Sequence, residues 1–139
     1  MEALLPVAHF RVFVGRRELA CCEVGPLVSR TEDGAHAYEP VILRRALGGR
    51  ELFEWRERVA AGKRVTRDVV IELLDGPAGR PVHAFVLREA WPVRWSGPAL
   101  DALATGVACE EAALSFAALE WLDPGDRHPK PKPKETKRA

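Results

Sequence analysis

Two apolar runs about one turn cluster constrain this chain more than anything else in it. Val65 to Leu74 is rich in Val and Ile. Val82 to Val93 alternates, with Phe85, Leu87, Trp91 and Val93 in one phase and Glu89 as the exception. Between the runs stands Asp75-Gly76-Pro77-Ala78-Gly79. β-Branched and aromatic residues at period two on either side of a Gly/Pro turn read as a β-hairpin with one buried face. The signature recurs upstream, where Phe10 to Val14 and Leu19 to Val24 flank Gly15-Arg16-Arg17 and Gly25-Pro26 breaks the second run. Ser29 to His36 is polar and reads as a loop turning at Asp33-Gly34. Glu39 to Leu47 reads as a strand with Val41, Leu43 and, less cleanly, Leu47 on one side, ended by Gly48-Gly49. The chain is expected to be mainly β.

One segment departs from period two. From Arg50 to Ala61, Leu52, Trp55 and Val59 fall at i, i+3 and i+7 and so share one helix face. Glu54 and Arg58 stand four apart in the favourable order, worth ~0.2–0.5 kcal/mol. Gly62 follows in the position of a C-terminal cap. Val107 to Leu122 is ambiguous, because its Ala, Leu and Glu residues are helix formers and propensity alone gives a helix.

Composition bounds the rest. A chain of 139 residues has room for one domain. A net charge of +1 opposes a dedicated nucleic-acid binder, which would be strongly basic. No apolar run approaches the ~18 residues that span a bilayer. Met1 to Val14 lacks a basic leader, and Pro6, His9 and Arg11 interrupt it, so no signal peptide is expected. Cys21 and Cys22 are adjacent, a poor geometry for a mutual bridge, and with Cys109 the count is odd. A reducing compartment is expected. The sharpest break follows Leu122, where the chain reads DPGDRHPKPKPKETKRA and carries six Lys and Arg against three acids. Alternating Pro and Lys favour an extended, solvated chain. We expect a domain over 1–122 and a disordered, Pro/Lys-rich tail over 123–139.

Residues able to do chemistry are scattered. His9, His36, His83 and His128 have no partner at zinc-ligand spacing, and no G-x-G-x-x-G, P-loop or C-x-x-C occurs. The three cysteines read as buried small hydrophobes. Glu110 and Glu111 are neighbours that a strand would send to opposite faces. No catalytic residue, metal ligand or cofactor site is expected, and the chain does not read as an enzyme. A small ligand-binding barrel, or a nucleic-acid-binding one using Lys130, Lys132, Lys134, Lys137 and Arg138 of the tail, stays open as a remoter alternative.

Ala90-Trp91-Pro92-Val93-Arg94-Trp95-Ser96-Gly97-Pro98 resembles the A-W-P-x-[KR]-W-x-G-P segment of the tail tube proteins of contractile phages and related injection systems. Further blocks follow in the family's order. Val41 to Arg45 is similar to an L-T-L-K-R strand, and Glu51 to Trp55 to a D-L-F-x-W helix start carrying Leu52 and Trp55. Val70 to Asp75 is similar to an I-x-L-L-D strand, and Val107 to Trp121 to the final segment. The resemblance covers about residues 8–122. It implies an antiparallel β-barrel or sandwich with one flanking helix over about 50–61, and makes Val107 to Trp121 strand rather than helix. It makes Trp91, Pro92, Trp95, Gly97, Pro98, Leu52 and Trp55 structural residues, the tryptophans building the barrel. Trp91, Val93 and Trp95 are expected on one strand face, and Pro92, with no N–H for a ladder, marks an edge or bulge.

The function so implied is mechanical. Six copies form a ring, and rings stack into a conduit for DNA or protein cargo, driven through an envelope when a sheath contracts. Sheath and baseplate proteins are the implied partners, with no membrane insertion by this chain. Assembly is implied in the bacterial cytoplasm, within a phage tail or an injection particle. Family members carry a long Gly- and Arg-containing loop between the second and third strands that contacts the next ring. Here only about Ser29 to Tyr38 stands in its place. The Pro/Lys tail departs too, as do Ala117-Ala118 where the family has Glu-Gly. A tube-like adaptor at the baseplate or tube end is therefore the alternative.

Overall fold

The computed structural model describes residues 4–77 and 79–123. Beyond Asp123, the expected tail lies outside the described residues.

β1 (Phe10–Val14) and β2 (Arg17–Leu19) form the first expected hairpin, turning at Gly15 with φ +62°. The run after the turn does not continue as one strand. It ends at Leu19, and β3 (Glu23–Val24) pairs instead with β6 (Val41–Ala46), placing Val24 opposite Leu43. Ser29 to His36, expected as a loop, is corrected to a hairpin of β4 (Ser29–Glu32) and β5 (Ala35–Tyr38). The turn was legible: Asp33 and Gly34 have φ +53° and +78°, the two successive positive values of a type I′ connection. The strands were not, because β4 is exposed along its whole length and has no buried face to impose period two. Tyr38 fixes the hairpin's base to the body, its ring 5.1 Å from that of Phe116.

α1 (Glu51–Ala60) turns Leu52 and Trp55 inward. Gly62 closes it at φ +90°: its N–H donates to the Val59 carbonyl and that of Lys63 to the Arg58 carbonyl, a Schellman pair. β7 (Arg67–Leu74) and β8 (Pro81–Ser96) make the central hairpin, and β9 (Cys109–Ser115) and β10 (Ala118–Leu122) end the described chain. The last segment is therefore strand, broken at Phe116-Ala117. β9 is held between β6 and β8, and this pairing overrides a weak helix propensity.

Every pairing is antiparallel, in the order β2-β1-β7-β8-β9-β6-β3, with β10 added to β8. The sixteen residues of β8 serve both halves of this sheet: the first part pairs with β7 and β10, the last with β9. One core lies between the halves. Val12, Ile71 and Leu87 come from one side, Leu43, Ala112 and Leu114 from the other, and Leu52 and Trp55 of the helix close the end. Each large side chain so buried contributes about 1.5–3 kcal/mol.

β8 crosses between the halves by changing phase twice. Leu87 faces Val69 and Ala90 faces Arg67, so Arg88 and Glu89 together oppose Asp68. Glu89 takes φ +53°, its N–H donates to Asp68 Oδ1, and Arg88 Nη1 donates to Asp68 Oδ2. A second shift lies between Pro92 and Arg94, where Val93 is extruded. The bulge expected from Pro92 is thus present beside it. The expected shared face is corrected. Leu87, Ala90, Pro92 and Trp95 point to the core side, whereas Trp91 pairs with Ser115 in the opposite phase. Strict alternation cannot foresee this, because each added residue inverts every side chain beyond it.

Candidate functional site

The most concentrated polar chemistry lies where β6, β8, β9 and the start of α1 meet. Arg45 follows Val41 and Leu43 in phase and so points inward from β6. Its Nε donates to Glu110 Oε2 at 2.6 Å, and its Nη2 to Glu51 Oε1 at 2.7 Å and to the Gly49 carbonyl at 3.1 Å. Glu110 sits in phase with Ala112 and Leu114 on β9 and is fully buried. Its other oxygen accepts from Trp95 Nε1 at 2.7 Å. Both carboxylate oxygens thus have a donor, which a buried charge requires. Burial opposes the charge on Arg45, but its bonds to Glu51 and Glu110 outweigh this and hold its pKa above the ordinary value. The hydrogen bond from Arg45 in turn holds the Glu51 carboxyl below its ordinary 4.5.

Aromatic contacts surround the network. Phe53 meets Trp95 edge to face at 5.0 Å between centroids. Gly97 lets Trp95 fold back, since a Cβ there would stand 3.1 Å from Trp95 Cη2. Trp55 donates from Nε1 to the Val65 carbonyl at 2.8 Å, and the Arg67 guanidinium lies 5.1 Å over its ring. Of the expected structural residues, Leu52, Trp55, Pro92 and Trp95 meet at or beside the core, with Gly97 against Trp95. Pro98 is half-buried where the chain leaves β8. Trp91 stands apart, lining a cleft of about 620 Å³ with Val59, Val65 and Glu89.

Arg45 and Glu110 were missed as a pair. The signal was present, because each continues the buried phase of its strand, but only the pairing of Arg45 with Glu110 across β6 and β9 joins them. Glu111 points the other way, as expected, with Arg44 Nε 3.8 Å from it. The cysteine reading needs correction: Cys22 is exposed, and only Cys21 and Cys109 are partly buried. Burial pushes the Cys21 thiol up to about 12, so it is no nucleophile at neutral pH. His83 Nδ1 accepts from Trp121 Nε1, and His36 stacks on Tyr38. Among the described residues, no group of three or more His, Cys, Asp or Glu is placed to hold a metal ion, and no helix is long and apolar enough to cross a membrane. The network is a staple. It ties β6 and the start of α1 to β8 and β9, which lie 44 or more residues further along the chain.

Those four segments carry the blocks that resemble tail tube proteins, and comparison with known proteins bears on that likeness. Residues 28–120 match the family of the T4-like virus tail tube protein gp19. The chain belongs to this family. Membership makes it a structural subunit of a tail tube. A search of curated proteins returned no match. Solved structures share the fold. A chain in the cryo-EM sheath-tube complex of the PVC extracellular contractile injection system, in its extended state, superposes with a TM-score of 0.72 at 22% identity, over 88% of this chain and 93% of that one. A chain in the baseplate of the anti-feeding prophage gives 0.70 at 20% identity, over 88% and 98%. Hcp1 from Flavobacterium johnsoniae gives 0.62 at 15%, over 81% and 93%. The tail-tube fold thus accounts for the mainly antiparallel architecture and its one helix.

Proposed function

We propose that six copies of this tail-tube family member close into a ring, and that rings stack into the hollow inner tube of a contractile phage tail or phage-tail-like injection system. The family match across residues 28–120 carries this reading. A head-to-tail contact that closes by rotation gives a ring, and a second, non-closing contact along the axis gives a tube. Among the described residues, the sheet has edges on β2, β3 and β10, three, two and five residues long, which leaves strand edges for a neighbour to cover. Sheath and baseplate proteins are the outer partners, and DNA or protein is the cargo. The role is mechanical, with no bond made or broken by this chain. Assembly takes place in the bacterial cytoplasm.

One observation favours a second reading, an adaptor at the baseplate or tube end. The connection expected to grip the next ring is here only the short hairpin of β4 and β5. A ring with so little grip stacks poorly alone. Electron microscopy of the purified protein at rising concentration decides between the two. Single or paired rings that lengthen only with partner proteins support the adaptor; long tubes from the protein alone make it an ordinary tube subunit.

Residues 1–122 form the folding unit in this reading, and 123–139 are dispensable to it. A segment without large apolar side chains cannot offset an ordering cost of about 1–2 kcal/mol per residue. Truncation after Leu122 is expected to leave the melting temperature nearly unchanged. A large fall would show that the tail shields a smaller apolar cluster on the other face of the sheet, formed by Phe13, Val70, Ala84 and Val86, against which Leu122 packs.

A further inference from the structure

After Ser96 the chain leaves the sheet and returns at Cys109. All ten residues from Ala99 to Ala108 are exposed, and seven of them are apolar. Leu100 is 84% exposed, Leu103 93% and Val107 75%. The segment is nonetheless shaped by its own bonds. Asp101 Oδ1 accepts from the Leu103 N–H at 3.0 Å, the Asp101 carbonyl accepts from the Ala104 N–H at 3.1 Å, and the Ala108 carbonyl accepts from the Leu47 N–H. It is an apolar arm turned outward, in a chain whose only charge there, Asp101, is spent on making the turn. Monomeric proteins seldom present such a patch; contiguous apolar surface of this kind marks an interaction site.

The same chain carries a surface of the opposite shape. A cleft of about 600 Å³ opens between the start of β1, the end of β7 and edge strand β3, walled by Phe10, Val24, Leu27, Leu73 and Phe85 with Cys22 at its side. That volume is in the range of pockets that enclose a compact apolar group. The arm does not enter the cleft of its own molecule: residues 99–108 are exposed throughout, and none of them lines it.

The geometry points to a second copy of this chain as the occupant: the arm of residues 97–108, led by Leu100 and Leu103, docks into the β1–β3–β7 cleft of the neighbouring subunit in the ring. The inference rests on the tube reading and deepens it. Arm and cleft are different surfaces of one chain, so their contact is heterologous and each subunit gives one arm and receives one, as ring closure demands. Burial of the two leucines supplies an apolar centre to a contact whose remainder is strand edge.

The test uses Leu103→Cys in the full-length protein with a short bis-maleimide linker, which joins that thiol to the exposed native Cys22 if the arm lies in a neighbour's cleft. A ladder of covalent oligomers is expected, and Cys22→Ser should abolish it. In parallel, Leu100→Ser with Leu103→Ser should raise the protein concentration needed for ring formation by roughly tenfold or more. Rings that form in the wild type, yet give no Cys22-dependent ladder and tolerate the double serine variant, overturn the docking while leaving the tube reading intact. A double variant that keeps its rings but loses sheath binding assigns the arm to the sheath instead and also overturns it. A wild type that stays monomeric at every concentration sinks both.

Discussion

The two ends of one crossing invert the usual arrangement of side chains. Where β8 and β9 run side by side, a carboxylate, a guanidinium and an indole N–H are closed off from water in a bonded network. A few residues on, where the same strands are joined by the 97–108 connection, leucines and a valine stand in water. The buried charge is satisfied within the chain, so it serves the fold. The exposed apolar arm is covered by none of the described residues, and in the proposed ring it would serve assembly. The difference separates what holds a subunit together from what holds subunits to each other.

The comparison is most easily broken at the buried end. Glu110→Ala takes from Arg45 its buried partner, leaving it only the more exposed Glu51 and the Gly49 carbonyl, and takes from Trp95 its acceptor, and should cost about 3–5 kcal/mol, read as a lowered urea midpoint. Replacing both, Arg45→Met with Glu110→Leu, should cost less than Glu110→Ala alone, since removing a buried pair together leaves no orphan charge. Equal losses for the single and double changes would mean that packing, not charge, ties these strands. Trp95→Phe keeps a ring against Phe53 but removes the donor to Glu110, and is expected to cost about 1–3 kcal/mol. A loss below a few tenths would show that Arg45 alone satisfies the carboxylate.

The mildest test is pH. Glu51 is partly exposed, and Arg45 holds its folded pKa below 4.5. A folded pKa below the unfolded one gives a contribution that is full above about pH 4.5 and is lost as pH falls through the folded value. The stability gap between wild type and Glu51→Gln should therefore be present near neutral pH and shrink in acid. A gap that widens in acid would reverse the assigned sign.

Much of this was legible in the residues. Helix α1 showed in the spacing of Leu52, Trp55 and Val59, and its stop in Gly62. The central hairpin showed in the runs about Asp75–Gly79, and a bulge in Pro92. The family blocks supplied what propensity got wrong, the strand character of Val107 to Trp121. The phase of Trp91 relative to Trp95 stayed hidden, since it depends on the bulge at Arg88-Glu89, which the Asp68 side chain on another strand helps to hold. Arg45 and Glu110 hid for a related reason. A charged residue in a buried phase reads as a break in the pattern until its partner, 65 residues away, is brought opposite. The β4–β5 hairpin hid because a strand without a buried face leaves no alternation to read.

The division between a polar network for the fold and an apolar arm for assembly is tested most directly by one paired measurement on the wild type and the Leu100→Ser/Leu103→Ser variant: thermal melting alongside native mass spectrometry. The account predicts six-copy rings for the wild type and monomers for the variant at a concentration just above the wild type's assembly threshold, with equal melting temperatures once both are diluted to monomers. Equal ring formation by the two at that concentration, a diluted variant that melts well below the diluted wild type, or a wild type that never leaves the monomer would each contradict it.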